Sequence, residues 1–445
     1  MIKIGFIGLG CEKNTINTEK MIAACKNGGY QIVGDLEDTQ VVVINTCGFI
    51  ESAKQEAIET IFEVAQLKSE GKVQKILVCG CLPERYQAEI GSELPEVDGF
   101  LGVGSFQRIN DAIEAVMRGE RIEWFDCNDA LQLEGERVLT SPPHTAYIKI
   151  ADGCNNHCTY CCIPTIRGRF KSRKMEQIIE EAQTLLAGGA KELILIAQDT
   201  TNYGIDLYGE RRLPDLIRAL TKLDGLHWLR LLYLYPDKIT DELIDLFAGE
   251  EKLIPYIEMP IQHAVGSVLK RMNRPGDRES LLALLEKLRA KVPSVVLRTT
   301  LIVGFPGETD EEFEELCSFV RQAKFDKLGV FCYSREEGTP AYDLPNQIED
   351  EVKERRRDVL ETIQADVVEQ KQQAMIGKQI EVLTEGYDRF GECWYGRSYM
   401  EAPDIDGKIF FAGNGSIMPG KFVSVSIEDA MDFDLIGEIV NEYTE

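Results

Sequence analysis

Residues 147–161 read Tyr147-Ile148-Lys149-Ile150-Ala151-Asp152-Gly153-Cys154-Asn155-Asn156-His157-Cys158-Thr159-Tyr160-Cys161. A short apolar run meets a glycine turn, and three cysteines follow at C-x3-C-x2-C spacing. Further apolar runs at 192–197, 228–232, 256–259, 295–302 and 328–333 follow, most of them separated by amphipathic helical patterns such as 175–187 and 310–324. With 147–150 as the first strand, six βα units predict a partial (β/α)6 barrel of parallel strands.

Upstream, apolar runs at 2–9, 41–44 and 75–78 each end in a turn containing Gly or Asn. Helical patterns follow at 18–26, at 52–67 (Ala57, Ile58, Ile61 and Val64 on one face) and, more briefly, at 84–90. That alternation predicts a doubly wound parallel α/β domain. Residues 126–144 have little periodicity and end near Ser141-Pro142-Pro143, which marks a boundary. Beyond a charged helix at 349–375, strand-like pieces at 379–384, 393–399, 408–411 and 421–426 predict a small all-β barrel of OB type. The expected domains are therefore 1–140, 141–371 and 372–445.

The chain has 445 residues, 44% of them hydrophobic and 28% charged, which is ordinary for a soluble globular protein. Its apolar N-terminal run is too short for a membrane span and lacks the layout of a signal peptide, so the expected location is the cytoplasm. The net charge of −26 favours a basic protein partner over nucleic acid, because RNA binders gain affinity by neutralising phosphates. Residues 373–445 alone carry 14 acidic against 5 basic side chains. Thirteen cysteines without an export signal point to metal or redox work rather than disulfides.

Cys154, Cys158 and Cys161 can hold three irons of a [4Fe–4S] cube and leave the fourth open. An open iron can chelate S-adenosylmethionine (SAM), and one electron then releases a 5′-deoxyadenosyl radical that attacks an unactivated C–H bond. A structural zinc site with His157 or Cys162 as fourth ligand is the competing reading. Gly188, Gly189, Gln198, Asp199, Gln262, Arg298, Thr300 and Gly304 lie in turns or near strand ends and are the candidate SAM-pocket residues.

Cys11, Cys47 and Cys81 each lie just past the end of an N-terminal strand. In a doubly wound sheet those ends converge on the ligand-binding edge, so the three thiols can meet and hold a second [4Fe–4S] cluster. Cys79, inside its strand, reads as core, and so do Cys25, Cys317 and Cys332.

Together, Asn45-Thr46-Cys47, Gly80-Cys81, the C-x3-C-x2-C loop with Ile163-Pro164 and Arg167-Gly168, and Val303-Gly304-Phe305-Pro306-Gly307-Glu308-Thr309 resemble the methylthiotransferase family of radical SAM enzymes. The resemblance spans the whole chain and implies a TRAM barrel at the C-terminus. Cys47-Gly48-Phe49-Ile50, the segment from Ile196 to Gly204, and Gly396-Arg397-Ser398-Tyr399 with Ala402-Pro403-Asp404-Ile405-Asp406-Gly407 resemble its RimO branch. Cys162 departs from the family, where a small or aliphatic residue is usual. The resemblance implies methylthiolation of the β-carbon of an aspartate in ribosomal protein S-twelve. One SAM would methylate sulfur held at the N-terminal cluster, and a second would supply the hydrogen-abstracting radical. The sulfur comes either from the N-terminal cluster itself or from an added sulfide or polysulfide donor, and an electron donor such as flavodoxin or ferredoxin is expected. The chain is expected to be a monomer.

The runner-up is a tRNA adenosine methylthiotransferase, with Arg167, Arg169, Lys171, Arg173 and Lys174 as the RNA-binding run and Phe170 and Tyr160 as stacking rings. A plain iron–sulfur electron carrier would be expected to offer four thiolates per cluster.

Overall fold

The computed structural model describes residues 1–37, 39–128, 133–413 and 417–442. The chain divides into two compact units, one of Met1–Thr140, Lys149–Gln177 and Ser334–Tyr342, the other of Ser141–Ile148, Ile178–Tyr333 and Asp343–Glu445. The C-x3-C-x2-C loop therefore packs with the N-terminal sheet.

In the first unit, β1 (Lys3–Gly8), β2 (Gln31–Val33), β3 (Thr39–Thr46), β4 (Val73–Gly80), β5 (Gly99–Leu101) and β6 (Ile122–Trp124) form one parallel sheet in the order β2-β1-β3-β4-β5-β6. Strands β2, β5 and β6 have three residues each, too short to register as a two-residue period, and went unpredicted.

The strand pleat explains why both faces are covered. Val41, Val43, Leu77 and Cys79 pack with Met21 and Cys25 of the helix Glu12–Asn27 and with Ile109, Ile113 and Val116 of the helix Ile109–Met117. The alternate residues Val42, Ile44, Ile76 and Val78 pack with Ala57, Ile61 and Val64 of the helix Glu51–Ser69. Strands buried on both sides read as continuous apolar runs, as these do.

A short antiparallel ribbon, β8 (Ala151–Asp152) with β9 (Lys171–Ser172), closes the base of the cysteine loop; β7 (Thr145–Lys149) precedes it. In the second sheet β10 (Glu192–Ile196), β11 (Trp228–Leu231), β12 (Leu253–Glu258), β13 (Val296–Val303) and β14 (Lys327–Cys332) follow, all parallel, in the order β14-β13-β12-β11-β10-β7. This is an open six-stranded partial barrel.

The C-terminal strands β15 (Gln379–Asp388), β16 (Cys393–Arg397), β17 (Ile409–Ala412), β18 (Phe422–Met431) and β19 (Asp434–Glu442) close into a barrel in the order β15-β16-β17-β19-β18. It is anchored within the second unit by a buried ion triad. Glu192 of β10 pairs with Arg230 of β11 at 2.7 Å and with Arg397 of β16 at 2.8 Å. Burial alone would lift the Glu192 carboxyl, but the two guanidiniums outweigh it and hold it down at about 2. Among the described residues no helix is long and apolar enough to cross a membrane.

Candidate functional site

In the first sheet the chain turns from β1 to β2 on one side and to β3 on the other, so a crevice opens at the C-terminal ends of β1 and β3. Cys11 follows β1 as the N-cap of the helix Glu12–Asn27, Cys47 follows β3, and Cys81 follows β4 as the first residue of the helix Cys81–Glu93.

Two glycines let the three segments close up. A Cβ on Gly10 would stand 2.8 Å from the Cys47 Cβ. Gly80 has φ 104° and ψ −150°, a conformation open essentially to glycine alone, and a Cβ there would fall 2.5 Å from the Thr46 carbonyl oxygen. Asn14 stitches the crevice, its Nδ2 donating to the carbonyls of Leu9 at 3.1 Å and Thr46 at 3.0 Å.

The thiols sense one another. Burial pushes the Cys47 thiol up to about 12, with the charges of Cys81 and Cys11 adding to the rise. Burial also raises the Cys81 thiol, and Arg167 opposes that rise. The Arg167 Nη2 lies 3.4 Å from the Cys81 Sγ and also donates to the Asn14 Oδ1.

The second thiol set lies in the same unit. Ribbon pairing of Asp152 with Lys171 and the Cys154 N–H bond to the Gly168 carbonyl at 3.2 Å fold residues 153–168 into a closed loop. Within it the Cys161 N–H donates to the Cys158 carbonyl at 3.1 Å, and the Cys154 Sγ accepts the Asn156 N–H at 3.4 Å. The Ala341 N–H ties the loop from outside through the Thr159 carbonyl at 2.8 Å. Burial raises the Cys161 thiol, and Cys158, Cys162 and Cys154 add to that rise. Cys162, next in sequence, turns its Sγ toward the Phe49 carbonyl at 3.5 Å.

All thirteen cysteines are free thiols. Each set combines burial, mutual charge repulsion and helix starts or closed turns. Such a donor set costs free energy as bare thiolates and would be relieved by bound cationic iron, so the donor chemistry of both sets suits a thiolate-held cluster, while among the described residues no group is already arranged around a metal position.

A buried polar network joins the two sets. Asp152 takes the Lys149 ammonium at 2.7 Å and both Arg167 contacts at 3.1 and 3.2 Å, and it also accepts the Gly153 N–H at 2.9 Å. Burial alone would lift the Asp152 carboxyl, but Lys149 and Arg167 outweigh it and hold it well below the usual carboxylate range. Sequence reading missed this network, although a lysine inside the apolar run Tyr147-Ile148-Lys149-Ile150 was a signal for it.

The network also corrects the RNA-binding run. Arg167 is buried against Asp152, Arg173 is buried against Glu134, and the Phe170 ring is buried. Only Arg169, Lys171 and Lys174 of that run are exposed.

The remaining candidates lie in the second unit. Gln262, in a left-handed conformation with φ 70°, bridges to β13: its N–H donates to the Thr300 carbonyl at 2.8 Å and its carbonyl accepts the Ile302 N–H at 2.7 Å. Gly304 follows β13, its N–H bonded to the Glu308 carboxylate at 2.5 Å. Burial lifts that carboxyl to about 7. Gln198 and Asp199 follow β10, and Asp199 is buried against Lys238 at 2.5 Å. Arg298 pairs with Glu258 at 3.4 Å and Asp406 at 3.5 Å.

Gly188 and Gly189 do not join this group. Their N–H groups cap the helix Met175–Ala187 through the carbonyls of Thr184 and Leu186, ahead of β10. They stand at the N-terminal end of a parallel strand, whereas Gln198, Asp199 and Gly304 stand at C-terminal ends. A glycine pair before a strand is helix-stop chemistry, which sequence alone does not separate from a ligand turn.

Comparison with known proteins agrees with this architecture. Residues 148–320 match the radical SAM superfamily, residues 3–102 match the uncharacterized protein family UPF0004, and residues 376–440 match the TRAM domain. The chain is 48% identical to the ribosomal protein uS12 methylthiotransferase RimO of Caldanaerobacter subterraneus, over 98% of this chain and 100% of that protein. It is 46% identical to RimO of Acetivibrio thermocellus over 99% of each chain. Among solved structures, the radical SAM methyltransferase TsrM of Kitasatospora setae shares the fold with a TM-score of 0.56 at 13% identity, covering 74% of this chain and 72% of that one.

Proposed function

The chain belongs to the RimO family of ribosomal protein uS12 methylthiotransferases, and we propose that it attaches a methylthio group to the β-carbon of an aspartate in that ribosomal protein. The observation that carries the chemistry is the pair of three-cysteine sets within one compact unit, joined through Arg167 and Asp152, and the ribosomal substrate rests on the full-length RimO relatives. Membership of the radical SAM superfamily brings SAM and a [4Fe–4S] cluster. We assign that cluster to Cys154, Cys158 and Cys161, and a second to Cys11, Cys47 and Cys81. The first would supply the electron that cleaves SAM, and the second would hold the sulfur to be transferred.

The chain's own contribution is to hold the two sets. The ribbon β8–β9 fixes the loop that carries Cys154, Cys158 and Cys161, and the Gly10 and Gly80 turns bring Cys11, Cys47 and Cys81 to one crevice. Cys81, Cys154 and Cys158 are buried, whereas Cys11, Cys47 and Cys161 are partly exposed, which leaves each set an open side. Gln198, Gln262, Thr300 and Gly304 stay our candidates for orienting SAM.

The acidic C-terminal barrel suits a basic protein substrate, and only three exposed cations stand in the candidate RNA-binding run. The electron donor is proposed to be a flavodoxin or ferredoxin, the sulfur source a sulfide or polysulfide, and the compartment the cytoplasm.

The test is anaerobic reconstitution followed by mass spectrometry with SAM, reductant and sulfide, offering uS12 and unmodified tRNA in parallel. A methylthio gain on an aspartate of uS12, lost in Cys154→Ala, is the expected result. A gain on tRNA alone would overturn the substrate assignment while keeping the chemistry.

A further inference from the structure

The Arg167 side chain is buried, yet its guanidinium meets three different structural elements. Nη2 faces the Cys81 Sγ at 3.4 Å and the Asn14 Oδ1, and Nη1 spans both oxygens of Asp152 at 3.1 and 3.2 Å. Asp152 in turn receives Lys149 at 2.7 Å and the Gly153 N–H at 2.9 Å, one residue ahead of Cys154. Two buried cations thus share one carboxylate, and the cation nearer the thiol donates to its sulfur. A hydrogen bond and a positive charge at a ligating sulfur both stabilise the more negative, reduced state of an iron–sulfur cluster and raise its potential. A lysine could supply the charge but not the flat fork that reaches sulfur, amide and carboxylate together.

We propose that Arg167 is a positioning residue that sets the reduction potential of the cluster at Cys11, Cys47 and Cys81, and that Asp152 locks it to the start of the other cysteine loop. This rests on the reading that those three thiols hold a cluster. Arg167 makes the N-terminal site easier to reduce than its thiolates alone would allow. Through Asp152, the same side chain keeps the turn before Cys154 in register with the Cys81 helix.

The experiment uses the full chain with Cys154, Cys158 and Cys161 replaced by alanine, so that only the N-terminal site can take iron. Iron content is measured first, and the potential is then followed by electron paramagnetic resonance during a reductive titration. Arg167→Gln is expected to lower the reduced-to-oxidised ratio at fixed potential at least tenfold, which is about 59 mV for one electron. Arg167→Lys, which keeps the charge, is expected to shift it less. Unchanged potentials in both variants with iron retained would overturn the proposal. If Arg167→Gln loses its iron, Arg167→Lys decides alone, and an unchanged potential there overturns it too. A larger shift at the other site, measured in the Cys11, Cys47 and Cys81 alanine variant, would overturn the assignment to Cys81. Failure of the parent with Arg167 intact to take iron would instead overturn the two-cluster reading.

Discussion

The two cysteine sets are assembled by opposite routes. Cys154, Cys158 and Cys161 come from one loop closed by a two-residue ribbon, and their spacing is visible in eight consecutive residues. Cys11, Cys47 and Cys81 come from three loops more than thirty residues apart, and only the strand order β2-β1-β3-β4 brings them together. A local site depends on its own turn. A distributed site depends on an entire sheet, so remote changes that leave the first intact should damage the second.

The largest effect expected separates the two by role. Cys154→Ala should reduce SAM cleavage to background, whereas Cys47→Ala should keep cleavage and lose methylthio transfer, both read by chromatography of 5′-deoxyadenosine beside product mass. Equal loss of cleavage in both variants would break the comparison.

Next comes the geometry of the distributed site. Gly80→Ala forces a Cβ to within 2.5 Å of the Thr46 carbonyl in a conformation that alanine avoids. A destabilisation of roughly 3 kcal/mol is expected, with iron lost from the N-terminal site and kept at Cys154, Cys158 and Cys161. Denaturant melts and iron analysis of the two alanine-triple backgrounds would check this.

A third test lies outside both sites. The Glu308 carboxyl, lifted by burial from 4.5 to about 7, binds its proton more tightly folded than unfolded. Its unfavourable contribution is absent below pH 4.5, grows between 4.5 and 7, and then stays constant. Glu308→Gln should therefore gain relative stability across that window, by up to about 3 kcal/mol, while neither cluster changes its iron content. A flat difference between pH 5 and pH 8 in urea melts would refute this.

The smallest effect belongs to Cys162. Its thiol faces the Phe49 carbonyl, so Cys162→Ala should cost about 1 kcal/mol or less and leave iron content unchanged. A loss of iron would make it a ligand and blur the contrast.

Legibility in the sequence follows the same divide. The six-unit barrel pattern and the C-x3-C-x2-C loop could be read because period and spacing are local signals. The Cys11, Cys47 and Cys81 set was legible only through an inferred sheet, since strand-end cysteines have meaning only once strand order is assumed. Arg167 belongs both to the family motif and, in the runner-up reading, to an RNA-facing run, because a basic residue looks the same in sequence whether it meets solvent or a buried carboxylate. Gly188-Gly189 was misplaced for a related reason: a helix stop and a ligand turn use the same residue. The strands β2, β5 and β6 were lost to brevity.

The first compact unit is not continuous in sequence, since it includes Ser334–Tyr342, where Glu336 pairs with Arg85 at 2.7 Å and with Lys54 at 3.2 Å. During synthesis, Cys11, Cys47, Cys81 and the three loop cysteines all leave the ribosome long before Glu336 exists. Until then Arg85 and Lys54 lack that carboxylate, and Thr159 lacks the Ala341 N–H. The nascent protein therefore completes the surroundings of both cysteine sets only after residues 334–342 have been made, about three quarters of the way along the chain.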